Sequence, residues 1–437
     1  MAEEEKIGSS SYVFLTFLTL LNVMNFVDRQ LLASFANFIK PDLNLTNTEF
    51  GLLTGLVFLF FYSFMGVFMG FLADTVNRTR LIAVGLALWS ALTAASGLAK
   101  GFVSLAIPRM FIGVGESIMT PTSMSLLADR FPSRLLGFAS GFYYMGVPIG
   151  AGLSLLVVGY LGPAIGWRNC FYLLGAIGIG LAAIMWFIKE TPRRHLIETA
   201  APSERLGFKE VVLTVARTLP KSPALMMTIG GGVAFHFILG ASAFEQLWYV
   251  EERGFERAEI ARYTGWIGIS AGILGNLFGG IGSDWFLKRT GMGRPMFLFF
   301  IMLLLAPINL AYRIVPGDSI WFWIGIFVAF FQLGSFYGPT FSTVQELVPP
   351  TVRATIVAFY LLALNLVGVG IGITFAGIAV DWLIDAGVEE PYTVVLIGFT
   401  VISFSCIPLF FFAGRRYDRD RERLLGASDN QVAAGDT

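Results

Sequence analysis

The sequence predicts an all-α polytopic membrane protein, with twelve transmembrane helices in two pseudo-symmetric six-helix bundles. Three observations predict it. Hydrophobic residues make up 55% of the 437 positions and charged residues only 14%, too little polar material to coat a soluble body of this size. About twelve apolar stretches are each long enough to cross a hydrocarbon layer of ~30 Å. The two halves also carry the same polar punctuation at corresponding places.

The first six stretches run near residues 11–38, 48–73, 80–100, 103–128, 135–161 and 167–188. Residues 189–222 then turn polar, with Lys189, Arg193, Arg194, Arg205, Lys209, Arg217 and Lys221, and form the one long internal linker. Six more stretches follow near 223–250, 260–284, 295–314, 318–345, 353–384 and 391–413. All are expected to be helices, because unpaired backbone in lipid is too costly for anything except helices and closed barrels, and these stretches are too long for barrel strands. The domain reading is therefore a first bundle at 1–188, a linker at 189–222, a second bundle at 223–414 and a tail at 415–437.

An even number of crossings puts both termini on one side, and the basic residues choose the side. Lys6, Arg78, Arg80, Arg130, Arg134, the linker cations, Lys288, Arg289, Arg294, Arg353 and the run from Arg415 to Arg423 all fall on the terminal side. The opposite loops hold only Lys40, Lys100, Arg168, Arg253, Arg257, Arg262 and Arg313. The positive-inside rule makes the termini and linker cytoplasmic, and the expected setting is a bacterial inner membrane. Glu3, Glu4 and Glu5 in place of a basic leader argue against a cleaved signal. Cys170 and Cys406 offer no disulfide framework, and His195 and His236 no metal cluster; no cofactor is expected.

The halves repeat one another. Gly70-Phe-Leu-Ala-Asp74-Thr-Val-Asn-Arg78 closes the second stretch, and Gly280-Ile-Gly-Ser-Asp284-Trp-Phe-Leu-Lys288 closes the eighth. Asp129-Arg-Phe-Pro132-Ser-Arg134 follows the fourth, and Glu346-Leu-Val-Pro349 with Arg353 follows the tenth. A duplicated six-helix unit explains both. These cytoplasmic groups suggest latches, Asp74 with Arg134 and Asp284 with Arg353, supported by Arg78 and Asp129; the plainer alternative is a solvated turn whose charges only fix topology.

Two arginines remain, and both are in the membrane. Arg109 and Glu116 lie seven apart on the fourth helix, on one stripe and roughly 10 Å from one another. Asp28 and Arg29 lie in the first helix, with Asn22 and Asn25 beside Asp28 on its face. Charges within a bilayer cost several kcal/mol and turn towards a bundle interior where they are paired or wetted. A carboxylate holds a proton more readily in apolar surroundings and less readily beside a cation or water, so Asp28 and Glu116, with Arg109 as partner, form a candidate proton switch. The alternative is a static ion-pair network that packs helices.

The cytoplasmic string Gly70, Asp74, Arg78 and Arg80 resembles the signature between helices two and three of the major facilitator superfamily. Asn77 departs from it, standing where glycine is usual; Asn tolerates a left-handed turn. Asn25-Phe-Val-Asp28-Arg29, with Arg109-Met-Phe-Ile-Gly-Val-Gly-Glu116-Ser, Thr120-Pro121 and Asp129-Arg-Phe-Pro132, further resembles the spinster-type lipid transporters of that superfamily. The resemblance implies alternating access, a sphingoid or lysolipid amphiphile as substrate, Asp28 and Glu116 as protonation sites and Arg109 as their partner.

The remaining residues are compatible with such a substrate. Forty-two Phe and nine Trp furnish an apolar cavity, and Asn25, Tyr143, Tyr144, His236, Gln332, Tyr337 and Asn365 are candidate head-group contacts, with Arg29 suited to an anionic phosphate. Each of these also serves as an interhelical hydrogen-bonding group in the plainer reading. Gly137, Gly141, Gly146 and Gly150 in the fifth helix, and Gly368, Gly370 and Gly372 in the eleventh, allow close helix approach.

Enzyme readings fail. Gly268-Ile-Ser270-Ala-Gly272 matches a hydrolase string but lies in an apolar helix, and no phosphate-cradling loop ends in Gly-Lys-Ser/Thr. No basic, aromatic-laced patch suits nucleic acid. The sequence thus predicts a monomeric, proton-coupled antiporter that exports a lipid-like amphiphile. The alternatives are an antiporter of small organic anions or drugs, and a membrane receptor or scaffold that binds without moving its ligand.

Overall fold

The computed structural model describes residues 8–193, 208–349 and 352–435, and every element among them is helical. Eleven helical stretches among the described residues are long and apolar enough to cross a membrane. One of them, Leu135–Phe187, has 53 residues, roughly 80 Å at 1.5 Å per residue and so more than twice the ~30 Å a crossing needs. It kinks at Gly166, whose φ of 77° only glycine adopts without steric cost. It therefore makes two crossings, and the total is the expected twelve.

The chain forms two compact units, Met1–Pro202 with Phe255–Ile269, and Ser203–Gly254 with Ser270–Thr437. The first contains α1 (Ser9–Ser34), α2 (Ala36–Asp42), α3 (Asn47–Thr54), α4 (Leu56–Thr75), α5 (Arg78–Ser96), α6 (Phe102–Glu116), α7 (Met119–Arg130), α8 (Ser133–Tyr144), α9 (Gly146–Leu156) and α10 (Gly162–Phe187). The second contains α11 (Phe208–Thr218), α12 (Pro223–Ser242), α13 (Glu245–Glu251), most of α14 (Arg257–Thr290), α15 (Arg294–Ala311), α16 (Ile320–Glu346), α17 (Arg353–Leu362), α18 (Gly372–Asp385), α19 (Pro391–Ser403) and α20 (Cys406–Gly435). Short π-helical segments, Val157–Leu161 and Ala363–Ile371, interrupt the fifth and eleventh crossings.

Local chemistry sets several boundaries. Thr46 and Glu49 form a capping box at the start of α3, with Glu49 N donating to Thr46 Oγ1 over 3.1 Å and Thr46 N donating to Glu49 Oε2 over 3.0 Å. Asn77 is not left-handed as the sequence suggests: its φ is −66°, and its Oδ1 accepts from Arg80 N at 2.9 Å. It is the N-cap of α5, a role in which asparagine is among the best residues. That explains why it stands there in place of glycine.

Glycines let helices meet at backbone contact in the first unit. A Cβ added to Gly150 would lie 2.5 Å from the Val23 carbonyl oxygen and 2.7 Å from Phe26 Cβ, and one on Gly113 would lie 2.8 Å from the Phe58 carbonyl oxygen. These two contacts bring α9 and α4 onto the helices that carry the buried charges. The second unit packs Phe235, Phe336, Tyr360 and Phe410 into one core, with Phe235 and Phe336 stacked at 4.7 Å.

Outside the membrane spans, Asp42 at the end of α2 is tied to α10 and, through Arg168, to the turn between α5 and α6. It accepts from Trp167 Nε1 at 3.0 Å and from Arg168, whose other nitrogen reaches the Ala99 carbonyl at 3.1 Å. The Arg168 hydrogen bond holds the Asp42 carboxyl below its ordinary range. A depressed carboxylate contributes stability above its unfolded-state pKa and loses it as the pH falls through the folded-state value. Asp42→Asn should therefore cost up to about 1 kcal/mol at neutral pH, with the gap to wild type closing in acid, as read by thermal unfolding in detergent. Gly150→Val, which overpacks α1 against α9, should cost roughly 1–3 kcal/mol in the same assay.

Candidate functional site

Four charged side chains meet inside the first unit. Asp28, Arg109 and Glu116 are 3%, 4% and 1% exposed. α1 supplies Asp28 and Arg29, α6 supplies Arg109 and Glu116, and α5 supplies Trp89. Arg29 Nε donates to Glu116 Oε2 over 3.1 Å, Trp89 Nε1 donates to Asp28 Oδ2 over 3.1 Å, and Arg109 Nη2 donates to the Arg29 carbonyl over 2.8 Å. The Arg29 guanidinium lies 4.2 Å from the Tyr62 ring centre and 4.7 Å from that of Phe26. Arg109 lies 4.6 Å from the Phe58 ring centre. Aromatic faces thus take part of the cationic charge where water is excluded.

Arg29, assigned in the sequence reading to a substrate phosphate, is the hydrogen-bonded partner of Glu116. Arg109, expected to partner the carboxylates, interacts electrostatically with both Asp28 and Glu116 and donates a hydrogen bond to the backbone of α1. Positions 28 and 29 point about 100° apart on a helix, so the rotation of α1 against α6 decides which of them faces Glu116.

Within the quartet, Asp28 Oδ1, Glu116 Oε1 and Arg109 Nε are buried with no hydrogen-bond partner among the described residues, and so are Asn25 Nδ2 and Asn22 Oδ1 nearby. Buried polar atoms are nearly always satisfied. A concentration of unsatisfied ones around two acids and two guanidiniums leaves unused hydrogen-bonding capacity in a closed interior.

The other candidates divide. Tyr143 is fully buried and its backbone carbonyl accepts from Asn22 Nδ2 at 2.9 Å, while Tyr144 is exposed. In the second unit the structure brings His236 and Tyr337 together: His236 Nε2 lies 3.3 Å from Tyr337 Oη, and Nδ1 lies 2.8 Å from the Gly232 carbonyl oxygen. Gln332 is engaged elsewhere, accepting from Asn309 Nδ2 at 2.6 Å. Asn365, in the π-helical segment, donates to the Leu361 carbonyl at 2.9 Å.

On the face assigned to the cytoplasm, Arg78 is the hub of the first unit. It is 1% exposed and donates to Asp129 Oδ2 at 2.5 Å, Glu190 Oε1 at 2.8 Å, Ser125 Oγ at 2.8 Å and the Thr191 carbonyl at 2.7 Å. The side chains of Asp74 and Arg134 lie outside the described residues. In the second unit Asp284 does not meet Arg353, which donates to the Gln345 carbonyl at 3.0 Å. Asp284 accepts from Arg294 Nη2 at 2.7 Å, and Arg294 also reaches Glu346, which accepts from Tyr417. Arg294 is thus the counterpart of Arg78, and Glu346 that of Asp129. Equal spacing in the sequence pointed to Lys288, but the turn after α14 carries the chain back so that the first residue of α15 reaches both acids.

Twelve apolar crossings in two units, with charges buried against aromatic rings, define a polytopic membrane protein. A Major Facilitator Superfamily model matches residues 18–373, and the chain belongs to that superfamily. It is 27% identical over 408 residues to an MFS-type efflux pump of Mycolicibacterium smegmatis, covering 92% of each chain. It is 27% identical over 278 residues to the probable sphingolipid transporter spinster homolog 1 of Arabidopsis thaliana, covering 53% of this chain and 55% of that one. Among solved structures, a bacterial homologue of the human lysosomal transporter spinster, inward-facing and unoccupied, superposes with a TM-score of 0.81 at 25% identity, covering 94% of this chain and 98% of that one. The resemblance to spinster proteins read from the first and fourth crossings therefore extends over nearly the whole fold.

Removing Arg78 would leave Asp129 and Glu190 without their shared cation. Arg78→Ala should destabilise by roughly 3–5 kcal/mol, while Asp129→Asn, which keeps the shape and a hydrogen-bond acceptor, should cost less; thermal unfolding of the two variants orders them.

Proposed function

We propose that this protein is a proton-coupled secondary transporter that exchanges protons for a lipid-like amphiphile, such as a sphingolipid or lysolipid, by alternating access, and acts as an exporter. Asp28 and Glu116 carry the proton, and Arg29 and Arg109 are their counter-charges. The observation that carries the reading is the buried quartet. Two carboxylates balance two guanidiniums, and protonating either acid leaves an unmatched cation that burial penalises. Proton binding must therefore be accompanied by a rearrangement that admits water or ligand charge, and a carrier needs that linkage. Asn25, Tyr143 and Tyr144 in the first unit, and His236, Tyr337, Gln332 and Asn365 in the second, are the proposed ligand-facing polar groups. Spinster-type relatives, one of them named for sphingolipid, support the amphiphile.

On this reading residues 1–188 and 223–414 are the moving bundles, 189–222 the cytoplasmic linker and 415–437 a cytoplasmic tail. The protein is a monomer in a bacterial inner membrane with both termini inside. Asp74, Arg78, Asp129, Arg134, Asp284 and Arg353 serve as cytoplasmic latch residues, with Arg294 and Glu346 added to them. A second reading is an antiporter of small organic anions or drugs; the Mycolicibacterium relative, named as an efflux pump, supports the export direction alone.

The test is counterflow in proteoliposomes with an imposed pH gradient, using lipids identified by native mass spectrometry of the purified protein. Asp28→Asn and Glu116→Gln should each lower gradient-driven movement at least about tenfold while ligand binding persists. Undiminished gradient-driven transport in both variants overturns the proton assignment. A protein that binds lipid but gives no counterflow is a receptor.

A further inference from the structure

The second unit holds a buried charge cluster that the proposed proton site does not use. Helix seven breaks between α12 and α13, and Glu245 is the first residue after the break. Its Oε1 accepts from Arg313 Nη2 at 2.5 Å and lies 3.3 Å from Tyr312 Oη. Arg313 is fully buried, yet its Nε and Nη1 have no partner among the described residues. Arg253 joins it: Nη2 donates to the Arg313 carbonyl at 2.8 Å and to Thr393 Oγ1 at 2.9 Å, while Arg253 Nε is also unpartnered. Both guanidiniums lie over one ring, Trp248, at 4.9 and 5.1 Å.

A brace built only for packing would satisfy its donors, because unpaired N–H groups on a buried cation are costly. Here two guanidiniums share an aromatic wall with donors to spare. Glu245, the carboxylate facing Arg313, is 15% exposed at its side chain against 1% for Arg313. The other charged and titratable groups around Glu245 are accounted for. Tyr249 is buried on the same helix, Glu252 accepts from Tyr392 N and Thr393 N at 2.7 and 2.8 Å, and Glu390 is half-exposed beside Arg253 at 3.3 Å.

We propose that Arg313 and Arg253 form an anion-binding site for a sulfate-, phosphate- or carboxylate-bearing ligand, with the Glu245 carboxylate holding Arg313 until the ligand displaces it. This does not rest on the assignment of Asp28 and Glu116, because every group belongs to the second unit.

Sulfate carries a fixed negative charge at neutral pH, so it is a clean probe. It is titrated into the full-length protein in phosphatidylcholine nanodiscs at about pH 7, with binding read by calorimetry and by the change in Trp emission lost in Trp248→Phe. Glu245→Gln, which removes the competing charge and keeps the shape, should bind about tenfold more tightly than wild type, and Glu245→Gln combined with Arg313→Lys should lose that binding. A parallel series with phosphatidylglycerol in the nanodiscs separates the sources: competition with sulfate there identifies a lipid headgroup, and its absence a free anion. Sulfate binding that is absent in Glu245→Gln, with the variant still folded by thermal unfolding, overturns the proposal and leaves a static brace. Failure of Asp28 or Glu116 variants in transport does not bear on it.

Discussion

Charge inside an apolar interior is the constraint on which the rest of this protein depends. Asp28, Arg29, Arg109 and Glu116 are tolerable only because three helices are held close enough for each charge to meet a counter-charge, a ring or a backbone carbonyl. That closeness needs small residues at the contacts. Gly113 admits the backbone of α4 and Gly150 that of α1, so glycines with no chemistry of their own set how closely neighbouring helices pack against the two that carry the charges.

The same rule organises the ends of the helices. Arg78 gathers Asp129, Glu190 and the Thr191 carbonyl in one unit, and Arg294 gathers Asp284 and Glu346 in the other. Each hub ties three chain segments through a single guanidinium, whose planar set of donors serves several acceptors at once. Duplication is visible in this architecture more clearly than in the residues, since the basic partner falls at different offsets from the shared acid in the two halves.

The two units also differ. The first holds its ion pairs midway along crossings, on long helices. The second holds Glu245 and Arg313 beside the broken seventh helix and beyond the end of α15, against Trp248 and Tyr312. Arg313 reads in the sequence as a loop cation. Its burial comes from its contacts with Glu245, Trp248 and Tyr312, and the first two lie more than sixty residues away, which no local pattern records.

The sequence by itself determined the class, the count of crossings, the repeat and the identity of the membrane charges. Composition, the length of apolar runs and the spacing of Gly, Asp, Pro and Arg are one-dimensional properties, and lipid leaves the backbone almost no alternative to a helix. Helical pitch also put Arg109 and Glu116 on one stripe. Only the tertiary structure decided who pairs with whom: Arg29 rather than Arg109 bonded to Glu116, Trp89 on Asp28, Arg294 rather than Arg353 on Asp284, and Asn77 as a cap rather than a left-handed turn. Those choices follow from how helices rotate about their axes and how closely their glycines let them approach, and both are set by packing across residues distant in the chain.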